Sequence, residues 1–167
     1  LIKSHTKHPG YNEMIKKLDC DYNSIVNRIC GKIENNKNIL YQKQMTQHKL
    51  PNDDLSWTKN VTNCFLIRNP KDVILSYSKI YQDITPELLG FPQLVEIFNY
   101  TKEYTDNLPL VIHAEDILKN PRKMLIEMCS LLNIEFQDSM LQWDEGLKSY
   151  DGIWGKYWYK TLAKSTG

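Results

Sequence analysis

The sequence has no CxxC pair, no histidine cluster, no glycine-rich loop, and no apolar run near the roughly 20 residues that a bilayer span requires. Each absence removes a class of function. Cys20, Cys30, Cys64 and Cys129 stand far apart, so no metal site is legible. Cys64 and Cys129 sit inside apolar runs and are expected as buried free thiols in a reducing compartment. With neither a membrane-spanning run nor a signal-peptide pattern, the chain is expected to be soluble and cytoplasmic. Nor does charge of one sign dominate: 21 Lys and Arg against 20 Asp and Glu leave a formal net charge of +1. That balance argues against a broad nucleic-acid footprint. It leaves room for a local anion site, which needs only a few well-aimed donors. Asn60-Val61-Thr62 and Asn99-Tyr100-Thr101 fit the glycosylation acceptor pattern, but three-residue patterns of this kind arise often by chance.

What is present fits one globular α/β domain over residues 1–167, with 41% hydrophobic and 25% charged residues. His8-Pro9-Gly10 reads as a turn, and Tyr11, Met14, Ile15 and Leu18 follow at helical spacing. A helix over 22–34 puts Ile25, Ile29 and Ile33 on one stripe before the polar break Asn35-Asn36-Lys37-Asn38. Residues 39–43 read as a strand leading into a loop at 45–50, with a short helical piece near Trp57. The strongest strand is Asn63 to Arg68, continuously apolar up to its cation, the pattern of a parallel strand covered on both faces. Asn69 can cap the next helix and Pro70 suits its first position, with Val73, Ile74, Tyr77 and Tyr81 directed to the core. A helix over 92–104, a strand at 110–113, and a helix opened by Asn120-Pro121 complete the alternation of a parallel α/β sheet. That last helix carries Met124, Leu125, Met128, Leu131 and Leu132 at core spacing.

Chemistry concentrates where Arg68 leaves its strand. Open α/β sheets place ligands at the C-terminal ends of their strands, and a helix N-terminus beside them adds positive potential. A guanidinium fork, the Ser76 hydroxyl and the start of that helix together suit a phosphate, since a guanidinium can hold two oxygens at once. An Arg at a strand end pairs with a surface carboxylate as readily, and a helical Ser commonly has no ligand.

The run from Cys64 to Tyr77 resembles the sulfotransferase family's Arg-Asn-x-x-Asp-Val-x-x-Ser-Tyr segment. A second block, Val111 to Pro121, is similar to the family's strand-Glu-Asp-Leu-x-x-x-Pro segment, and Leu131-Leu132-Asn133 stands where Phe-Leu-Gly is usual. Glu115 and Asp116 in that block read as architectural. Further stretches resemble a subgroup often labelled branched-chain aminotransferase-like: Met140 to Gly146, Asp151 to Trp154, Trp158-Tyr159 and Ser165-Thr166-Gly167. No pyridoxal-phosphate pattern accompanies them.

The resemblance implies a three-layer α/β/α domain with a parallel central sheet, related to the P-loop kinases. It implies 3′-phosphoadenosine-5′-phosphosulfate as co-substrate, with Arg68 and Ser76 on its 3′-phosphate and no metal. The family's opening strand and phosphosulfate loop find no counterpart here, so the chain is expected to be truncated at its N-terminal edge. A base is needed to take the acceptor proton, together with cations to quiet charge on the phosphosulfate oxygens. Many relatives use a Lys-Thr-His segment, and the equivalent run here is Lys43 to Pro51, with His48 as base and Lys43 as a cation for the leaving phosphate. The acceptor is an unidentified hydroxyl or amine compound, small or peptidic; no nucleic-acid or membrane partner is expected. Trp143, Trp154, Tyr157, Trp158 and Tyr159 either pack a core or wall an acceptor pocket. Lys164 to Gly167 are expected to fray, unless they add an anion contact. The rival functions are a kinase-like phosphotransferase and a non-catalytic nucleotide- or partner-binding domain.

Overall fold

The computed structural model describes residues 10–33, 36–106 and 108–167. His8, Pro9, Glu34 and Asn35, which figure in the turn, helix and break expected above, lie outside the described residues. The helices are α1 (Tyr11–Lys17), α2 (Tyr22–Cys30), α3 (Pro70–Tyr77), α4 (Pro86–Leu89), α5 (Phe91–Tyr104), α6 (Ala114–Lys119), α7 (Pro121–Leu131) and α8 (Gly155–Trp158). Strands β1 (Cys64–Ile67) and β2 (Leu110–His113) fall where the apolar runs predict them. They pair in parallel, Cys64 beside Leu110 through Ile67 beside His113, with α3 to α5 in the crossover between them. The chain is therefore α/β with a parallel sheet. No helix among the described residues is long and apolar enough to cross a membrane. The residues gather into two compact units, 21–115 and the remainder.

In the unit of residues 21–115, the core lies between β1, β2 and α5. Phe65 and Ile112 are buried, and the Phe65 ring meets Phe98 of α5 edge-on, with 5.4 Å between centroids. Thr58 and Thr101 are each 1% exposed, and their hydroxyls donate to the carbonyls of Leu55 and Ile97, so neither is left unsatisfied. Lys59 lies over the rings of Tyr100 and Tyr104, at 5.7 and 4.8 Å from their centroids.

Four local expectations give way here. The 39–43 run forms no strand: residues 39–45 have no regular structure, and Ile39, Leu40 and Tyr41 are exposed. A strand is completed by a neighbour's hydrogen bonds, and among the described residues only β1 and β2 pair. The second correction concerns β1, which was expected to be covered on both faces. Leu66 is 60% exposed and Val111 44%, because the described residues that pack on the faces of this sheet cover it only in part. Thirdly, Cys64 is exposed rather than buried; desolvation still raises its thiol above the ordinary range, which keeps it protonated near neutrality. Finally, Ile74, expected in the core, is exposed, whereas Val73, Tyr77 and Tyr81 are half-buried.

The second unit packs α7 through the buried Cys129, whose Sγ lies 3.8 Å from Met140 Sδ. Asn120 caps α7 by accepting from Lys123 N, and Pro121 takes the first position. The helix ends at Leu131, Asn133 adopts φ +52, and the Ile134 N–H then reaches back to the Cys129 carbonyl at 2.9 Å. The last residues are tied into this unit by hydrogen bonds. Leu162–Lys164 form a 3₁₀ turn, Trp143 N–H donates to the Thr166 carbonyl and Gly146 N–H to the Ala163 carbonyl.

In the same unit Glu13 of α1 accepts from Lys156 Nζ of α8 at 2.5 Å and from Lys17 Nζ at 3.1 Å. These ammoniums, Lys156 first, hold its carboxyl below the usual value. A depressed carboxylate contributes stability that is present above its unfolded pKa, about 4.3. That contribution is lost as pH falls through the lower folded value. The stability difference between wild type and Glu13→Gln is expected at neutral pH and should shrink as pH falls through the acid range below the ordinary carboxylate value. The effect should be small, because the pair is solvent-exposed and salt-screened. Melting curves across pH decide it, and a difference independent of pH would remove the pair from the account.

Candidate functional site

Arg68 follows β1 directly and stands at the C-terminal end of a parallel strand, where its side chain is exposed. Among the described residues it makes no ion pair and no hydrogen bond. The surface carboxylate that would account for an Arg at this position is therefore missing from the described residues.

Asn69 turns the chain into α3 by accepting from Lys71 N at 3.0 Å, and Pro70 opens the helix. The first-turn amides of α3 are already engaged: Lys71 N–H by the Asn69 side chain, and Asp72 and Val73 N–H by the Asn69 carbonyl at 3.0 and 3.2 Å. Ser76 lies near the other end of this helix and is exposed. Its hydroxyl has no partner among the described residues, whereas the neighbouring Ser78 hydroxyl is spent on the Leu75 carbonyl at 3.0 Å. The guanidinium and the hydroxyl are thus both without a partner among the described residues, about two helical turns apart along α3.

His48 closes a single 3₁₀ turn, Thr46–His48, and is half-buried. Each flank of this turn is fastened elsewhere. The Thr46 hydroxyl donates to the Gly90 carbonyl at 3.0 Å, at the junction of α4 and α5. Gln47 Nε2 donates to the Tyr77 hydroxyl at 3.2 Å. Lys49 Nζ pairs with Glu96 of α5 at 2.8 Å, its side chain only 6% exposed. The turn bearing His48 is thus tied to the residue next to Ser76, a link that no local pattern in the sequence announces. Tyr77 is legible only as an apolar ring at core spacing. Lys43 lies outside the turn, exposed on the irregular 39–45 stretch.

The remaining expected residues fall in the other unit. Trp143, Leu147, Tyr150, Tyr159 and Leu162 help to line a half-open, largely apolar cavity of about 260 Å³. Trp154 and Tyr157 are half-buried and Trp158 is exposed. Lys164 is exposed beyond them. Among the described residues no three His, Cys, Asp or Glu side chains gather.

The family model described as "Sulfotransferase domain" matches residues 1–167. The chain is 33% identical to "Branched-chain-amino-acid aminotransferase-like protein 2" of Arabidopsis thaliana, over all of this chain and 29% of that protein. It is 31% identical to "Branched-chain-amino-acid aminotransferase-like protein 1" of the same plant, over 95% of this chain and 28% of that protein. The chain therefore spans less than a third of the length of either relative. No solved structure matches it. A family match along the whole chain, in which the Arg-to-Ser block maps onto β1 and α3, leaves one assignment: this chain belongs to the sulfotransferase family.

Proposed function

We propose that this chain holds the 3′-phosphate of 3′-phosphoadenosine-5′-phosphosulfate and serves transfer of its sulfonate to a hydroxyl or amine acceptor. The carrying observation is Arg68, exposed at the end of a parallel strand with no ion pair among the described residues. In this reading its guanidinium takes two phosphate oxygens and the Ser76 hydroxyl donates to a third. When bound, the co-substrate supplies the sulfonate. The acceptor oxygen or nitrogen bonds to sulfur, the bond from sulfur to the 5′-phosphate oxygen breaks, and 3′,5′-adenosine bisphosphate leaves. His48 takes the acceptor proton, a task suited to an imidazole because its ordinary pKa lies near neutrality. Lys43 supplies positive charge towards the leaving phosphate.

The aminotransferase in the two relatives' names is not carried over. Those names describe proteins more than three times as long, and the sulfotransferase match covers this chain throughout. The four free cysteines fit a reducing compartment, and a cytoplasmic location belongs to the same reading.

Calorimetric titration of 3′,5′-adenosine bisphosphate into the protein tests this directly. Saturable one-site binding is expected, competed by 3′-phosphoadenosine-5′-phosphosulfate but not by 5′-AMP, which lacks the 3′-phosphate. Absence of binding, or equal binding of 5′-AMP, would overturn the assignment.

A further inference from the structure

One 3₁₀ turn cannot hold its own geometry, since it closes few hydrogen bonds for the residues it fixes. Within Thr46–His48 and the residue after it, the described backbone bonds are His48 N–H to the Met45 carbonyl and Lys49 N–H to the Thr46 carbonyl, each 3.0 Å. What the neighbours of His48 grip therefore helps to set its position. Thr46 and Lys49 are anchored to the start and the second turn of α5, through Gly90 and Glu96. Gln47 grips a different helix: its partner Tyr77 directly follows Ser76 on α3.

Tyr77 is built to be a fixed acceptor. Its ring stacks on Tyr81, with centroids 5.8 Å apart and planes 25° from parallel, so the hydroxyl is held in place from both the helix and the neighbouring ring. Burial, then the neighbouring Tyr81, raises its pKa, and the group remains a neutral phenol across the physiological range. The Gln47–Tyr77 bond joins the His48 turn to the helix carrying Ser76.

We infer that Tyr77 is a positioning residue: through Gln47 it sets the His48 turn against α3, so that a phosphate bound at Arg68 and Ser76 also orders the turn carrying the base. The coupling rests on the function proposed above; the positioning itself does not require a ligand. A ligand that fixes the end of α3 removes motion from Tyr77, and Gln47 transmits the loss to a turn that is also anchored at α5 through Thr46 and Lys49. Energetic coupling of this kind needs a contiguous physical link, which the bond from Gln47 Nε2 to Tyr77 Oη supplies.

Amide hydrogen exchange on the full chain tests both parts. Without ligand, Tyr77→Phe keeps the ring and its stacking but removes the acceptor. Exchange at His48 and Lys49 N–H should rise about two- to tenfold, the range expected for one lost hydrogen bond. The Leu94 amide, bonded to the Gly90 carbonyl at 2.9 Å, should stay unchanged. Gln47→Leu should reproduce the effect. Gln47→Glu should not, because a carboxylate can accept from the phenol instead. With saturating 3′,5′-adenosine bisphosphate, wild type should gain protection at His48 and Lys49, and Tyr77→Phe should bind the bisphosphate yet lose that gain. Unchanged ligand-free exchange in Tyr77→Phe would overturn the positioning role. Bisphosphate that binds without protecting the turn would overturn the coupling and leave the function intact. Failure of the wild type to bind would overturn the function and the coupling together, with the ligand-free comparison still deciding the positioning.

Discussion

Replacing Arg68 with alanine is expected to weaken the binding of 3′,5′-adenosine bisphosphate by about tenfold to a hundredfold. A hydrogen bond to a charged partner contributes roughly 1.5–3 kcal/mol net, and a factor of ten corresponds to about 1.4 kcal/mol. Three features make Arg68 available to an anion. It directly follows a parallel strand, it faces solvent, and no described carboxylate competes for it. The same features predict little damage to the fold, because nothing described depends on its side chain; melting temperature should be nearly unchanged. Arg68→Lys should fall between wild type and alanine, since an ammonium keeps the charge but loses the fork that takes two oxygens. Ser76→Ala should cost less than Arg68→Ala, because its hydroxyl brings no charge. Raising the salt concentration should weaken wild type more than Arg68→Ala, as screening acts on the charge that the variant lacks. Calorimetry on the three variants reads all of this, and equal affinity of wild type and Arg68→Ala would remove the phosphate site from β1 and α3.

The parts of this site that were legible in the sequence are those determined by neighbours in the chain. Asn69-Pro70 and Asn120-Pro121 announce helix starts because a cap and a proline act within one turn, and both helices begin there. The apolar runs at 64–67 and 110–113 give both strands because several consecutive residues agree on an extended state. What the sequence could not give is set by distant partners. Ile39, Leu40 and Tyr41 suit a strand by type, yet the ladder partner a strand needs is not among the described residues. The apolar character of Leu66 announces burial, but burial is decided by what packs on that face. The anchors of the His48 turn come from 30 and 44 positions away, in Tyr77 and Gly90, and no window around His48 contains them. His48 itself was found by its residue type and its place in a family segment, whereas the residues that orient it appear only once the chain is folded.

Gly90 is the second position where a single substitution should act strongly. It ends α4 and starts α5 at φ +77, the left-handed region that an alanine occupies only at a cost of about 1–3 kcal/mol. Space is the larger difficulty. A Cβ there would lie 2.5 Å from Thr46 Oγ1, 2.7 Å from Gln47 N and 3.2 Å from Gln47 Cα. The hydroxyl could rotate away, giving up its bond to the Gly90 carbonyl, but the backbone of Gln47 has to move as a whole. Displacing packed neighbours adds a further 1–3 kcal/mol or so, which makes the expected loss for Gly90→Ala about 2–6 kcal/mol. For a chain of this size that corresponds to a fall in melting temperature of at least about 4 °C. Gly146→Ala separates the two causes: it carries a φ of +98 but nothing lies within 4 Å of its Cβ position, so it should show the backbone penalty alone. The displacement in Gly90→Ala falls on the turn that ends in His48, so hydrogen exchange at the His48 and Lys49 amides should rise with it, and the Thr46→Ala, Gly90→Ala double variant should recover only part of the loss because Gln47 N remains in the way. A Gly90→Ala protein as stable as Gly146→Ala, with the turn undisturbed, would show that the close approach between Gly90 and Gln47 does not hold the His48 turn in place.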